Sequence, residues 1–127
     1  MQLKMFNILG FSTLYETVKA QKLPMKTAYK FAQLSRAVEV ELQFYQEKFN
    51  SIIREYGLVN ENGQLVPTED GTGIKLRPGA ESDCYAAIGD LQVIDIELPD
   101  ITFTIDEFAN VELTITEMDV LMPFMAN

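Results

Sequence analysis

The residues best able to do chemistry are five carboxylates in the last third of the chain: Asp95, Glu97, Asp100, Asp106 and Glu107. If strands on either side of Pro99 pair antiparallel, some of these acids converge. Oxygen ligands of that kind suit Mg or Ca, and two carboxylates in unequal surroundings can divide the work of general acid and base. Their spacing matches no metal-binding loop, however, and the same half of the chain supplies no Arg, Lys or His to help them. Histidine is absent from the whole sequence, which removes Ser-His and Cys-His nucleophiles, imidazole acid–base catalysis and His-ligated zinc. The single cysteine, Cys84, has no activating neighbour and can form no intrachain disulfide, so it reads as a helix or core residue. Gly71-Thr72-Gly73-Ile74-Lys75 lacks the glycine spacing and the Lys-Ser/Thr helix start of a phosphate loop and reads as a flexible turn. The expectation is no enzyme, no metal and no cofactor, with the five acids forming a face for docking or for solvation.

Charge divides the chain. Residues 1–77 hold all ten bases and eight acids, a net of +2, whereas residues 78–127 hold eleven acids and no base, a net of −11, for the total of −9. Such asymmetry favours contact between the two ends of different copies, or docking of the acidic end on a basic partner. Phosphates would repel the acidic half, so it is not expected to touch nucleic acid. Lys19, Lys22, Lys26 and Lys30 recur at spacings of three and four and make a basic stripe, solvated or facing an acidic partner.

Positioning falls to one dominant element, Met25–Tyr56. Ala28, Phe31, Ser35, Val38, Leu42, Tyr45, Phe49, Ile52 and Tyr56 alternate by three and four residues, the pattern of a helix with a continuous apolar seam. Pro24 suits its start, and Gly57 suits a left-handed cap at its end. A rod of about 48 Å follows from a rise of 1.5 Å per residue, longer than a domain of this size needs. Ala32 and Ala37 leave room for close approach. Leu42, Tyr45, Phe49, Ile52 and Tyr56 are the residues expected to meet a protein partner, a second copy foremost.

The other elements are shorter. Gln2–Leu9 reads as a first strand. Thr13 and Glu16 have capping-box spacing for a short helix running to about Gln21, which folds back on the long one as a helical hairpin. Leu58–Val66 reads as a hairpin turning at Asn62-Gly63, Ile74–Leu76 as a short strand and Ala80–Asp90 as a helix. Val93–Leu98 alternates apolar residues with acids as a half-buried strand, Ile101–Ile105 and Val111–Thr114 as two more. A helix capped by Thr116, with Asp119 at its third position, is ended or kinked by Pro123. The fold expected is α+β: a helical hairpin, a small antiparallel sheet and a short C-terminal helix. One domain is expected over residues 1–127, helical to residue 57 and mixed and acidic beyond it.

Lys30-Phe31-Ala32-Gln33-Leu34 with Glu39-Val40-Glu41-Leu42, and the ending Leu113-Thr114-Ile115-Thr116-Glu117-Met118-Asp119-Val120-Leu121, carry a diffuse resemblance to small uncharacterised proteins of tailed phages of Gram-positive hosts. The resemblance brings no diagnostic motif and no catalytic residues; it implies a structural or assembly accessory role. The function expected is therefore a non-enzymatic, oligomeric interaction protein. The alternatives are an acidic inhibitor of a host nucleic-acid-binding or defence protein, and a carboxylate-based metal binder or enzyme. No apolar run is long enough to span a bilayer, and no signal-peptide cleavage site follows Met1–Phe11. The expected compartment is the cytoplasm of the host cell, or the virion for a phage-encoded chain.

Overall fold

The computed structural model describes residues 1–126, which form an α+β fold of two compact units, 1–43 with 95–126 and 44–94. These boundaries do not follow the division expected at residue 57. The long helix, α2, spans Met25–Tyr56 as the seam predicts, with the Pro24 carbonyl accepting the Ala28 N–H at 2.9 Å. It has no interior Gly or Pro to break it, and it is the one element to which both units contribute residues.

In the first unit, strand β1 (Gln2–Lys4) pairs antiparallel with β2 (Asp95–Glu97), Lys4 opposite Asp95 and Leu3 opposite Ile96. The expected first strand is cut short because Met5–Ile8 winds into a 3-10 turn that buries Met5 and Ile8. Helix α1 covers Phe11–Lys19. It starts before the expected cap, so Thr13 lies inside it, and Glu16 turns to Lys19 at 2.8 Å rather than back to the helix start. Burial of Phe11, Leu14 and Val18 on one face outweighs the local capping signal.

The C-terminal segments replace two expected strands with turns. β2 takes β1 as its partner, not Ile101–Ile105. From there the chain makes a 3-10 turn at Ile105–Phe108, and residues 111–114 are not strand. Phe103 makes a single parallel bridge to Met125: its N–H donates to the Phe124 carbonyl at 2.8 Å, and its carbonyl accepts the Ala126 N–H at 2.7 Å. Helix α4 (Ile115–Leu121) begins two residues before the expected start, because Thr114 is the cap. The Thr114 hydroxyl accepts the Glu117 N–H at 3.1 Å and the Glu117 carboxylate accepts the Thr114 N–H at 3.0 Å, a reciprocal capping box. Pro123 then sits in a 3-10 turn, Met122–Phe124, that buries Phe124. Phe11, Phe31, Phe103, Phe108 and Phe124 form the centre of the core, with neighbouring ring centroids 5.1–6.4 Å apart. Such offset and edge contacts add to the burial of the rings.

The second unit joins the end of α2 to helix α3 (Glu81–Gln92) through three short extended segments. Leu58 N–H donates to the Lys75 carbonyl at 2.7 Å, Lys75 N–H to Val66 at 2.8 Å, and Val66 N–H to Leu58 at 2.9 Å. The three segments thus close on one another in a ring of backbone bonds, which satisfies groups that isolated strands would leave open. The expected hairpin is present at Val59 and Leu65. Its turn runs Asn60–Gly63 and needs a positive φ only at Gly63, 75°, as in a type I turn closed by a glycine bulge. Gly57 is not left-handed. Glycine is needed there for space: a Cβ would lie 2.5 Å from the Ile53 carbonyl oxygen and 2.6 Å from Leu65 Cδ2.

Candidate functional site

Of the five acids expected to form one face, Glu97 and Asp100 share a partner in the first unit, while Asp95 and Glu107 each take a different one. Asp95 pairs across the sheet with Lys4; Glu97 and Asp100 lie 3.3 and 2.7 Å from the Met1 amino group. Glu107 takes both of its oxygens to Lys30 Nζ, at 2.9 and 3.1 Å, and the same ammonium sits 4.8 Å from the centre of the Phe103 ring. Those two bonds hold the Glu107 carboxyl below the usual carboxylate range. Asp106 makes no ion pair among the described residues. No group of three Asp, Glu, Cys or His among the described residues stands close enough to hold a metal ion; of the five acids, Glu97 and Asp100 meet at the shared Met1 ammonium. Lys30, expected on a basic stripe for solvent or a partner, is instead spent on the chain's own acidic half.

Two open grooves run along α2, one within each unit. The first, of about 640 Å³, lies between α1 and α2. Its floor is aromatic: Tyr15 stacks on Phe31 with centroids 6.3 Å apart and planes 7° from parallel, and Phe31 stacks on Phe11 at 5.7 Å. Ala28, Ala32 and Ser35 keep its α2 wall low. The Ser35 hydroxyl donates to the Phe31 carbonyl at 2.7 Å and is turned onto its own helix. Four charged residues line the rim. Glu16 and Lys19 are paired with each other, whereas Arg36 and Glu39 make no ion pair or side-chain hydrogen bond among the described residues. Leu42, one of the expected partner-binding residues, closes one end.

The second groove, of about 480 Å³, lies between the later turns of α2 and α3 and is lined by Phe44, Ile52, Leu91 and Ile94 among others. Lys48 lies over the Phe44 ring at 5.7 Å. Of the remaining expected partner residues, Tyr45 and Phe49 stack on each other at 5.9 Å, and the Tyr56 carbonyl accepts the Arg77 N–H at 2.9 Å. Leu42, Tyr45, Phe49, Ile52 and Tyr56 are all half-buried. The structure therefore does not gather them on a bare surface; it leaves each with part of its area open. Cys84 is buried in α3, and burial pushes its thiol pKa up, away from reactivity.

Sequence reasoning missed two features. The α1–α2 groove needs Tyr15, Arg36 and Glu39 together, and its only trace in the sequence is the succession of small residues Ala28, Ala32 and Ser35. Glu117 carries no expectation of burial in the sequence reading, yet it is 7% exposed and its Oε2 has no hydrogen-bond partner among the described residues; the Thr114-x-x-Glu117 spacing is the available signal. Compared with protein-family models, curated proteins and solved structures, the chain matches none. No helix among the described residues is long and apolar enough to cross a membrane.

Proposed function

We propose that the protein is a non-enzymatic interaction component that self-associates through α2, in the manner of a phage structural or assembly accessory. The observation that supports this reading is the incomplete cover of α2. Its buried side chains, Thr27, Phe31, Leu34 and Val38, all lie in the first half; from Leu42 onward none is fully buried, while Val40 and Phe44 are exposed. Apolar area left open in both halves of a helix of 32 residues is area that association can remove from water. Light scattering of the full chain at micromolar concentration, at low and high salt, tests it. An oligomer that persists at high salt is expected, because burial of apolar surface is not screened. A monomer at both salt concentrations that also captures no phage or host protein overturns it.

A second reading, an acidic protein that occupies the nucleic-acid groove of a host protein, is favoured by α3. Glu81, Asp83 and Asp90 there are exposed and make no ion pair among the described residues. Recovery of a basic nucleic-acid-binding protein from lysate at low salt, lost at high salt, would select this reading over self-association.

A further inference from the structure

We propose that the groove between α1 and α2 receives α2 of a second copy, antiparallel, about a two-fold axis near residue 37. This rests on the self-association reading and gives it a partner face and a register. Three observations meet here. The groove is large enough for a side-chain layer, about 640 Å³. Its α2 wall is low at Ala28 and Ala32 and high at Leu42, which lies ten residues from Ala32 and keeps part of its surface open. Turned about residue 37, Leu42 of each copy falls over Ala32 of the other, so large meets small twice.

Charge selects the same arrangement. The chain carries −9 overall, so two copies repel wherever their acidic halves approach. The groove rim is balanced, with Glu16 and Glu39 against Lys19 and Arg36. Glu16 and Lys19 already satisfy each other at 2.8 Å, which leaves Arg36 and Glu39, three residues apart on one helix, as the free pair. A two-fold contact is self-complementary: it brings Arg36 of each copy within one residue of the register of the other's Glu39. A uniformly acidic or basic peptide in this groove would satisfy one of the two and repel the other, whereas a second copy satisfies both.

The test uses the full chain in three charge variants and one cross-link. Arg36→Glu and Glu39→Arg, each alone, should weaken self-association by roughly tenfold or more by setting like charges opposite each other. Arg36→Glu combined with Glu39→Arg should restore it to within a few-fold, which loss of folding could not do. For the cross-link, Ala32→Cys chains are mixed with Leu42→Cys chains under mild oxidation. Each chain carries only one of the two new cysteines, and its own Cys84 is buried, so a mixed disulfide reports position 32 of one copy against position 42 of the other, the antiparallel register. Ala32→Cys chains joining only to themselves would mean a parallel pair or a different two-fold register and would overturn the proposal. Wild-type chain that stays monomeric overturns the self-association reading itself; an oligomer indifferent to the charge variants, with no mixed cross-link, overturns this face and register alone.

Discussion

The two units share α2 and hold themselves together by different means. Among the described residues, fourteen of the seventeen buried apolar side chains belong to the first unit, among them the five packed phenylalanines; the second contributes Ala80, Cys84 and Leu91. All five ion pairs among the described residues also lie in the first unit, though exposed pairs add little. The second unit relies on its ring of backbone bonds and on half-buried side chains such as Leu58, Leu65 and Leu76. Backbone bonds exchanged for water bonds contribute modestly each, and buried apolar area is the larger favourable term. The second unit should therefore open at a lower free energy than the first, and contact with another molecule along its groove would stabilise it by mass action.

The strongest way to break this comparison is at the aromatic centre. Phe31→Ala should destabilise the protein by about 3–5 kcal/mol, because Phe31 touches the rings of Phe11, Tyr15, Phe103 and Phe108 at once. Urea unfolding followed by far-UV circular dichroism measures it, and a loss under about 1 kcal/mol would mean that the cluster is not the main support.

Gly57→Ala tests the second unit. The added methyl must displace the Ile53 carbonyl or Leu65, and overpacking of that kind costs about 1–3 kcal/mol. Hydrogen exchange of the Leu58, Val66 and Lys75 amides should accelerate and Cys84 should react faster with a thiol reagent, while amides of α1 and α4 keep their rates. Equal acceleration in both units would show that they open together.

Lys30→Met sharpens the electrostatic side, at about 1–2 kcal/mol near neutral pH. Since Lys30 depresses the folded pKa of Glu107, the stability it supplies is present above the carboxylate's unfolded value of about 4.3. It is lost as pH falls through the lower folded value. Removing Lys30 should flatten the wild-type loss of stability on acidification, measured as the urea midpoint between pH 6 and pH 3. Thr114→Ala has the smallest expected effect, about 1 kcal/mol from the lost cap. It should fray α4 and raise exchange at Glu117 N–H without touching the second unit.

Legibility in the sequence followed the length of each pattern. The bounds of α2 were readable to the residue because four heptads repeat one spacing with no breaker inside them, but its buried stripe is Thr27, Phe31, Leu34 and Val38, with Ala28 of the expected seam exposed. The acid-on-one-side alternation of residues 95–97 was readable from its period of two. Shorter signals were read in the wrong register. Thr13-x-x-Glu16 and Thr116-x-x-Asp119 both have the form of a cap, yet burial of Phe11 drew one helix start forward and the better box at Thr114 and Glu117 drew the other. Residues 101–105 and 111–114 look like strands by composition, but β2 had a closer partner in β1, and Phe103 was needed inside the phenylalanine cluster. The ring of Leu58, Val66 and Lys75 uses one or two bonds per segment, too few to leave any periodicity.

Taken alone, the sequence determined which catalytic chemistry has no side chains to perform it, where the long helix runs and how unevenly charge is spread from one end to the other. All of these follow from residue type or from near neighbours along the chain. Which charges are consumed at home was decided only by tertiary structure: Lys4 on Asp95 and Lys30 on Glu107 join residues 91 and 77 positions apart, and no local pattern constrains such pairs. Tertiary structure likewise decided that Arg36 and Glu39 face an open groove, because a groove is the space left between elements and belongs to none of them.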